Sequence, residues 1–344
     1  KAVLTGDPLP VAEGVAVVST TGSSVTSALS VSKTGLIAYL AGSTSARQLI
    51  WIDRSGLARG NAGEPDSTIL SPRVSPDGRR ILVTRSVQGN QDLWLIDNLR
   101  SNRLTFNPAS DAFPVWSPDG TRVAFNSRRN GPLDLYEKLT NGAGDDEVLV
   151  TSEQTKVAFS WSSDARFLFY SSYDPKTNAD LWVLPTSGER TPSVVLKTSF
   201  RETQPMISPD GRWLAYLSDQ SGRNEVYVRP FIAPGAAPAS ADAQWQISTA
   251  GGIYPLWRRD GKELYYLDPS GAMMAVPVAA NGNAFDPGSP TLLFPTQIFG
   301  GGLDSQQGRN YDVTADGRFL INSVLPGVPS PITLIQNWTP DAKK

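Results

Sequence analysis

Neither histidine nor cysteine occurs among the 344 residues, which removes most of the usual catalytic vocabulary. No Ser-His-Asp triad, imidazole base, thiol nucleophile or His- or Cys-ligated metal can be built. A Gly-x-Ser-x-Gly elbow is absent as well. Carboxylates, Tyr, Lys, Arg and hydroxyls remain. Six such residues stand out by position: Asp111, Lys156, Arg201, Glu202, Tyr254 and Arg309. Each lies seven to ten residues ahead of the fourth position of a recurring turn, with Phe113, Gln204 and Asn310 in the same window. Mixed charge and a phenol converging on one opening suit a protein segment, a peptide or a small polar ligand. The 33 acidic residues show no spacing that marks an acid/base pair. The leading expectation is therefore a non-catalytic binding or sensing module, with no catalytic residue, metal or cofactor. The alternative is a His-free carbohydrate-active enzyme, glycosidase-like, on the same scaffold.

Charge narrows the partners. With 31 Lys+Arg against 33 Asp+Glu the net charge is −2, which gives no footprint for nucleic acid or an anionic membrane. No stretch is long and apolar enough to insert into a membrane as a helix. A chain beginning at Lys1 reads as a mature or excised segment.

Those six residues can meet only if the chain is a repeat array. Ser75-Pro76-Asp77-Gly78 returns as Ser117-Pro118-Asp119-Gly120 and Ser208-Pro209-Asp210-Gly211. Weaker copies are Ser162-Ser163-Asp164-Ala165, Arg258-Arg259-Asp260-Gly261, Thr314-Ala315-Asp316-Gly317 and, most degraded, Ser32-Lys33-Thr34-Gly35. Their fourth positions are 43, 42, 45, 46, 50 and 56 residues apart, the length of a four-stranded propeller blade. A bulky residue precedes each turn (Val74, Trp116, Trp161, Ile207, Trp257, Val313) and an alternating strand follows. Trp51, Trp94, Tyr136 and Tyr227 each fall 16 residues past a turn, Trp182 falls 17 past, and Met274 13 past. A constant offset inside a variable period marks one copied structural unit.

The turn residues explain themselves. Pro presets φ, Asp bonds the backbone ahead, and Gly takes the left-handed site. The aspartates thus read as turn ties rather than as a ring of cation ligands. The recurring aromatics read as packing between blades rather than as sugar platforms.

Trp-Ser-Pro-Asp-Gly repeats followed by Asp-Leu-Trp or Asp-Leu-Tyr resemble the TolB-type, WD40-like propeller family across nearly the whole chain. The first, fourth and last copies depart from the motif. Leu49-Ile50-Trp51-Ile52-Asp53-Arg54-Ser55-Gly56 and Trp257-Arg258-Arg259-Asp260-Gly261 resemble propellers joined to bacterial serine/threonine kinases or winged-helix regulators. The resemblance implies an interaction module of a larger bacterial protein, periplasmic or extracellular. It extends to the gating propellers of prolyl oligopeptidases, although no hydrolase half is present. The Asp-box of sialidase-like propellers separates Asp from Gly by one residue, whereas here the two are adjacent.

Seven turns predict an all-β, seven-bladed β-propeller as a single domain over 1–344. Its repeats fall near 14–68, 69–109, 110–155, 156–200, 201–250, 251–307 and 308–344. The short last repeat is expected to borrow residues 2–13 as its outer strand, beside 332–338, because Gly6-Asp7-Pro8-Leu9-Pro10-Val11 matches the pattern of Gly288–Leu293. A six-bladed TolB-like ring, with the degraded first repeat outside it, is the alternative. Two long connections, 230–243 and 299–308, read as surface loops.

Overall fold

The computed structural model describes residues 17–19, 25–27, 29–32, 36–40, 46–97, 100–176, 178–236, 243–281, 284–304, 308–326 and 332–335. They form two compact units, one over 47–324 and one from the two ends of the chain. All regular structure among the described residues is β-strand.

The larger unit contains six antiparallel sheets, of which the first four are plain four-stranded meanders. Sheet 1 is Ile69–Val74, Arg80–Val87, Asn90–Asp97 and Arg100–Arg103. Sheet 2 is Asp111–Trp116, Arg122–Ser127, Asp134–Leu139 and Glu147–Val150. Thr155–Trp161, Phe167–Asp174, Asn178–Pro185 and Ser193–Leu196 make sheet 3. Glu202–Ile207, Trp213–Ser218, Glu225–Pro230 and Trp245–Gln246 make sheet 4, with the 230–243 connection between its last two strands. Sheet 5 is Ile253–Trp257, Glu263–Leu267, Met273–Asn281 and Thr291–Phe294, with Ala284–Pro287 as an added hairpin strand. Sheet 6 joins Tyr311–Val313 and Phe319–Val324 to Arg47–Ile52 and Ala58–Asn61.

Closure is where the structure departs from the sequence expectation. The last repeat takes its third and fourth strands from 47–61, with Trp51 opposite Leu320. Ile332–Ile335 instead pairs with Ile37–Leu40 in the smaller unit, which also holds Leu29–Val31 and the Val17–Ser19/Val25–Ser27 hairpin. Strands 47–61, which a six-bladed ring would leave outside with the rest of the first repeat, thus belong to the sixth sheet. Residues 2–13 lie outside the described residues.

The ring is sewn by hydrogen bonds from each sheet to the next. Trp116 Nε1 donates to the Arg73 carbonyl at 3.0 Å, and Trp257 Nε1 donates to the Met206 carbonyl at 2.9 Å. Both tryptophans stand immediately before their turn and reach the equivalent carbonyl of the preceding sheet. Ser160 Oγ donates to the Pro205 carbonyl at 2.8 Å, and Tyr311 OH to the Tyr254 carbonyl at 2.6 Å. Asn322 Nδ2 donates to the Ile69 carbonyl at 2.9 Å, tying the sixth sheet to the first.

In sheets 1 to 4 a repeated carboxylate fastens the third strand, two residues before its aromatic. Asp92 meets Arg103 at 2.7 Å, Asp134 meets Lys156 at 2.8 Å, and Asp180 meets Lys197 at 2.9 Å. Glu225 accepts from the Gly251 amide at 3.0 Å. The acid of the Asp-Leu-aromatic motif is therefore a buried staple to the connection that follows.

The turns behave as read. The Ser75, Ser117, Ser162 and Ser208 hydroxyls donate to Asp77, Asp119, Asp164 and Asp210 at 2.5–2.6 Å, and Thr314 donates to Asp316. Asp119 also accepts from the Thr121 amide at 3.0 Å. The hydroxyl donation from Ser117, then the Thr121 bonds, hold the Asp119 carboxyl below its usual value. A carboxylate depressed in this way contributes stability above its unfolded pKa, about 3.9, and loses it as pH falls through the folded value. Asp119→Ala should cost about 0.5–2 kcal/mol, like a lost cap, measured by urea unfolding at pH 7. The difference should shrink in acid; a difference that stays constant down to pH 2 would contradict the role.

Candidate functional site

At the end of the ring where the inner strands begin lies a cavity of about 450 Å³. Its wall follows the inner-strand phase. Ser110, Thr155 and Arg201, ten residues before the fourth position of their turns, face it, as do Leu70, Ala112, Val157 and Thr203, eight before that position. Residues nine before point the other way, as strand alternation requires. The next residue should also point away, yet Ser71, Phe113, Gln204 and Tyr254, seven before, line the cavity too.

A bulge explains this. Register shifts occur between Leu70 and Arg73, Ala112 and Val115, Thr203 and Met206, and Ile253 and Leu256. At each, the residue seven before the turn has a left-handed backbone: φ is 50° at Ser71, 55° at Phe113, 58° at Gln204 and 55° at Tyr254. Left-handed non-glycine residues cost about 1–2 kcal/mol apiece. Bulges of this kind re-aim side chains, and such strain gathers at functional sites.

The six residues singled out from sequence divide accordingly. Arg201 and Tyr254 line the cavity. Asp111, Lys156 and Glu202 all sit nine residues before their turns and are buried between sheets. Asp111 pairs with Arg129 at 3.1 Å, and burial raises its pKa. Lys156 is the partner of Asp134, and Glu202 accepts from the Thr198 hydroxyl. Arg309 has the right phase but not the expected exposure. Only 6% accessible, it donates from Nε to the Tyr311 carbonyl at 3.0 Å and from Nη2 to Asp312 at 3.2 Å.

Arg309 belongs instead to the waist of the channel. Burial, and next the charge of Arg309, push the Arg73 guanidinium down to about 9. Asp312 accepts from Arg309 and from the Val74 amide at 2.7 Å. Beyond the waist, at the turn end, a second cavity of about 370 Å³ is lined by Trp116, Trp161, Trp257 and the turn prolines. Arg259 reaches across that end to the Ser75 and Pro76 carbonyls at 3.3 and 3.0 Å.

Asp304, Arg128 and Tyr173 are among the mouth residues that lie outside the window marked by the turns. Arg128 and Tyr173 each stand eight residues past a turn's fourth position, where the second strand ends beside the start of the first. For the bulge a signal was available: a proline, at 72, 114, 205 and 255, follows each of its four left-handed residues. Asp304 comes from the glycine-rich 299–308 connection. Its carboxylate accepts from Arg201, from Gln204 Nε2 at 3.1 Å and from Tyr254 OH at 3.4 Å. Burial of Arg201 opposes its charge, but Asp304 overrides this and raises its pKa. Burial pushes the Tyr173 phenol up and the Tyr254 phenol well up, so both remain neutral donors. Among the described residues no cluster of acids could hold a metal ion.

Antiparallel sheets bonded one to the next around a channel define a β-propeller. The chain belongs to the TolB β-propeller domain family, whose model matches residues 15–228. Over 82 residues it is 39% identical to the Tol-Pal system protein TolB of Anaeromyxobacter dehalogenans strain 2CP-1, covering 23% of this chain and 18% of that relative. A TolB-type structure from Agrobacterium tumefaciens superposes with a TM-score of 0.62 at 17% identity, over 83% of this chain and 100% of that one. TolB from Acinetobacter baumannii gives 0.54 at 15% identity, over 74% and 68% of the two chains. These two structural likenesses show the fold.

Proposed function

We propose that this propeller is a non-catalytic binding or sensing module that takes a protein segment, peptide or small polar ligand at the channel mouth. It would serve within a larger bacterial protein of the periplasm or cell exterior. One observation carries the reading. Positions that build the ring recur, whereas the bulged position changes chemistry from sheet to sheet: Ser71, Phe113, Gln204, Tyr254. Packing requires sameness, and an asymmetric ligand requires difference. The cavity volume lies in the range of ligand sites. The periplasmic setting rests on kinship with Tol-Pal system proteins.

Phe113→Asn separates binding from folding. Asn adopts the left-handed region more readily than Phe, so the melting temperature should hold or rise. A compound or peptide found by thermal-shift screening to bind the mouth should lose about tenfold or more in affinity to this variant, through loss of aromatic contact. A hit that binds Phe113→Asn and Arg128→Gln as tightly as the parent would place the site elsewhere.

A further inference from the structure

The mouth already recognises a carboxylate. The Asp304 side chain is held by three donors, Arg201, Gln204 and Tyr254, which come from sheets 4 and 5 and their approach. Asp304 itself belongs to no strand. Its segment is fixed through backbone: the Phe299 amide donates to the Asn322 carbonyl at 2.8 Å and the Gly301 amide to Ile298 at 3.0 Å. Gly302 packs so closely on Asp268 and Pro269 that no Cβ fits there. The donor triad can therefore be vacated by rotation of the Asp304 side chain alone.

A second guanidinium waits in the same cavity. Arg128 is exposed, lines the wall, and has no ion pair or side-chain hydrogen bond among the described residues. The same cavity is lined by apolar surface from Leu133, Val157, Phe113 and Phe159. An arginine beside neutral donors is the usual equipment for a planar acid group.

We propose that the mouth binds a ligand with two carboxylates, one displacing Asp304 from Arg201, Gln204 and Tyr254 while the other is received by Arg128. Asp304 is then an internal competitor that occupies the site until ligand arrives. The inference rests on the mouth being the binding site. An acidic peptide and a small dicarboxylic acid share the required chemistry.

Calorimetric titration of the full chain at low salt with glutarate, with N-acetyl-Glu-Glu and with neutral glutaramide tests this. Asp304→Asn weakens the competitor and should tighten binding of the acids about tenfold. Arg128→Gln and Arg201→Gln, each in the Asp304→Asn background, should each weaken it at least fivefold, with melting temperatures unchanged. Arg201→Lys replaces Arg201→Gln if the latter misfolds, with the same loss expected because the fork is gone. The better of the two acids identifies the source. Unchanged or weaker binding by Asp304→Asn, or glutaramide binding as well as glutarate, overturns the proposal. Amide hydrogen exchange separates the two levels. If the neutral compound protects the mouth as fully as an acid, the carboxylate chemistry falls and the binding role stands. If the acids protect only backbone outside the mouth, both fall.

Discussion

Asp312→Asn should lower the stability of the propeller by about 3–5 kcal/mol, the usual effect of stripping the partner from a buried charge. Two guanidinia, Arg73 and Arg309, are buried at the waist, and Asp312 is the carboxylate that acts on both. An amide at 312 can still accept from the Val74 amide, so the variant keeps the backbone bond and loses the countercharge. Arg73 carries an Nε without a partner, a further sign that positive charge is in excess there. Arg73→Met should therefore be tolerated far better, within about 1–2 kcal/mol of the parent, because it removes a charge whose burial is costly. Combining Arg73→Met with Asp312→Asn should recover part of the loss, since one uncompensated cation remains instead of two. Denaturant unfolding of the three variants measures this. Equal stability of Asp312→Asn and the parent would mean that the waist is not held by charge pairing. The same burial removes Arg309 from any list of water-facing contacts, so Arg309→Ala will register in melting before it registers in ligand affinity.

What could be read from sequence was local. Ser117, Pro118, Asp119 and Gly120 contact one another within a few residues, and each copy of the turn repeats the same physics. The tryptophans at 116 and 257 were legible for a similar reason, since a bulky residue at a fixed offset signals packing. The candidate site was half legible. A window seven to ten residues before the turn's fourth position does supply part of the mouth, but strand alternation divides it, and Asp111, Lys156 and Glu202 share the phase that faces away from the cavity. Charge suggested those residues as contacts; their partners Arg129, Asp134 and Thr198 show that charge there serves folding. The bulge that turns Phe113 and Gln204 back to the channel is invisible to alternation and marked only by the proline after each. Asp304 was harder still, because a connection without repeat character has no counterpart to align.

Closure was misread because it is decided by pairing across more than 250 residues, where period and offset are silent. Trp51 sits at the offset of a third strand, and it is one, yet it joins the hairpin of the last repeat. Thr333, at the same offset past Gly317, lies opposite Tyr39 in the hairpin of the first. The third strands of the first and last repeats are exchanged relative to a simple count. A chain cut to 47–324 should therefore keep the complete ring and melt cooperatively, whereas one cut to 62–324 should not. The missing strands, Arg47–Ile52 and Ala58–Asn61, cover Phe319, Leu320 and Ile321, each fully buried, and contribute Leu49 to the core of sheets 1 and 6. Each large apolar side chain exposed or removed costs about 1.5–3 kcal/mol, so the sum approaches the roughly 5–15 kcal/mol that holds a typical domain folded. The cut also deletes the Arg54–Glu263 pair between sheets 6 and 5 at 2.5 Å, and leaves Phe319–Val324 as an open, apolar edge prone to pair with other chains. Circular dichroism melts and size-exclusion profiles of the two truncated chains decide it. A monomeric 62–324 chain melting with the cooperativity of 47–324 would show that the ring closes without these strands.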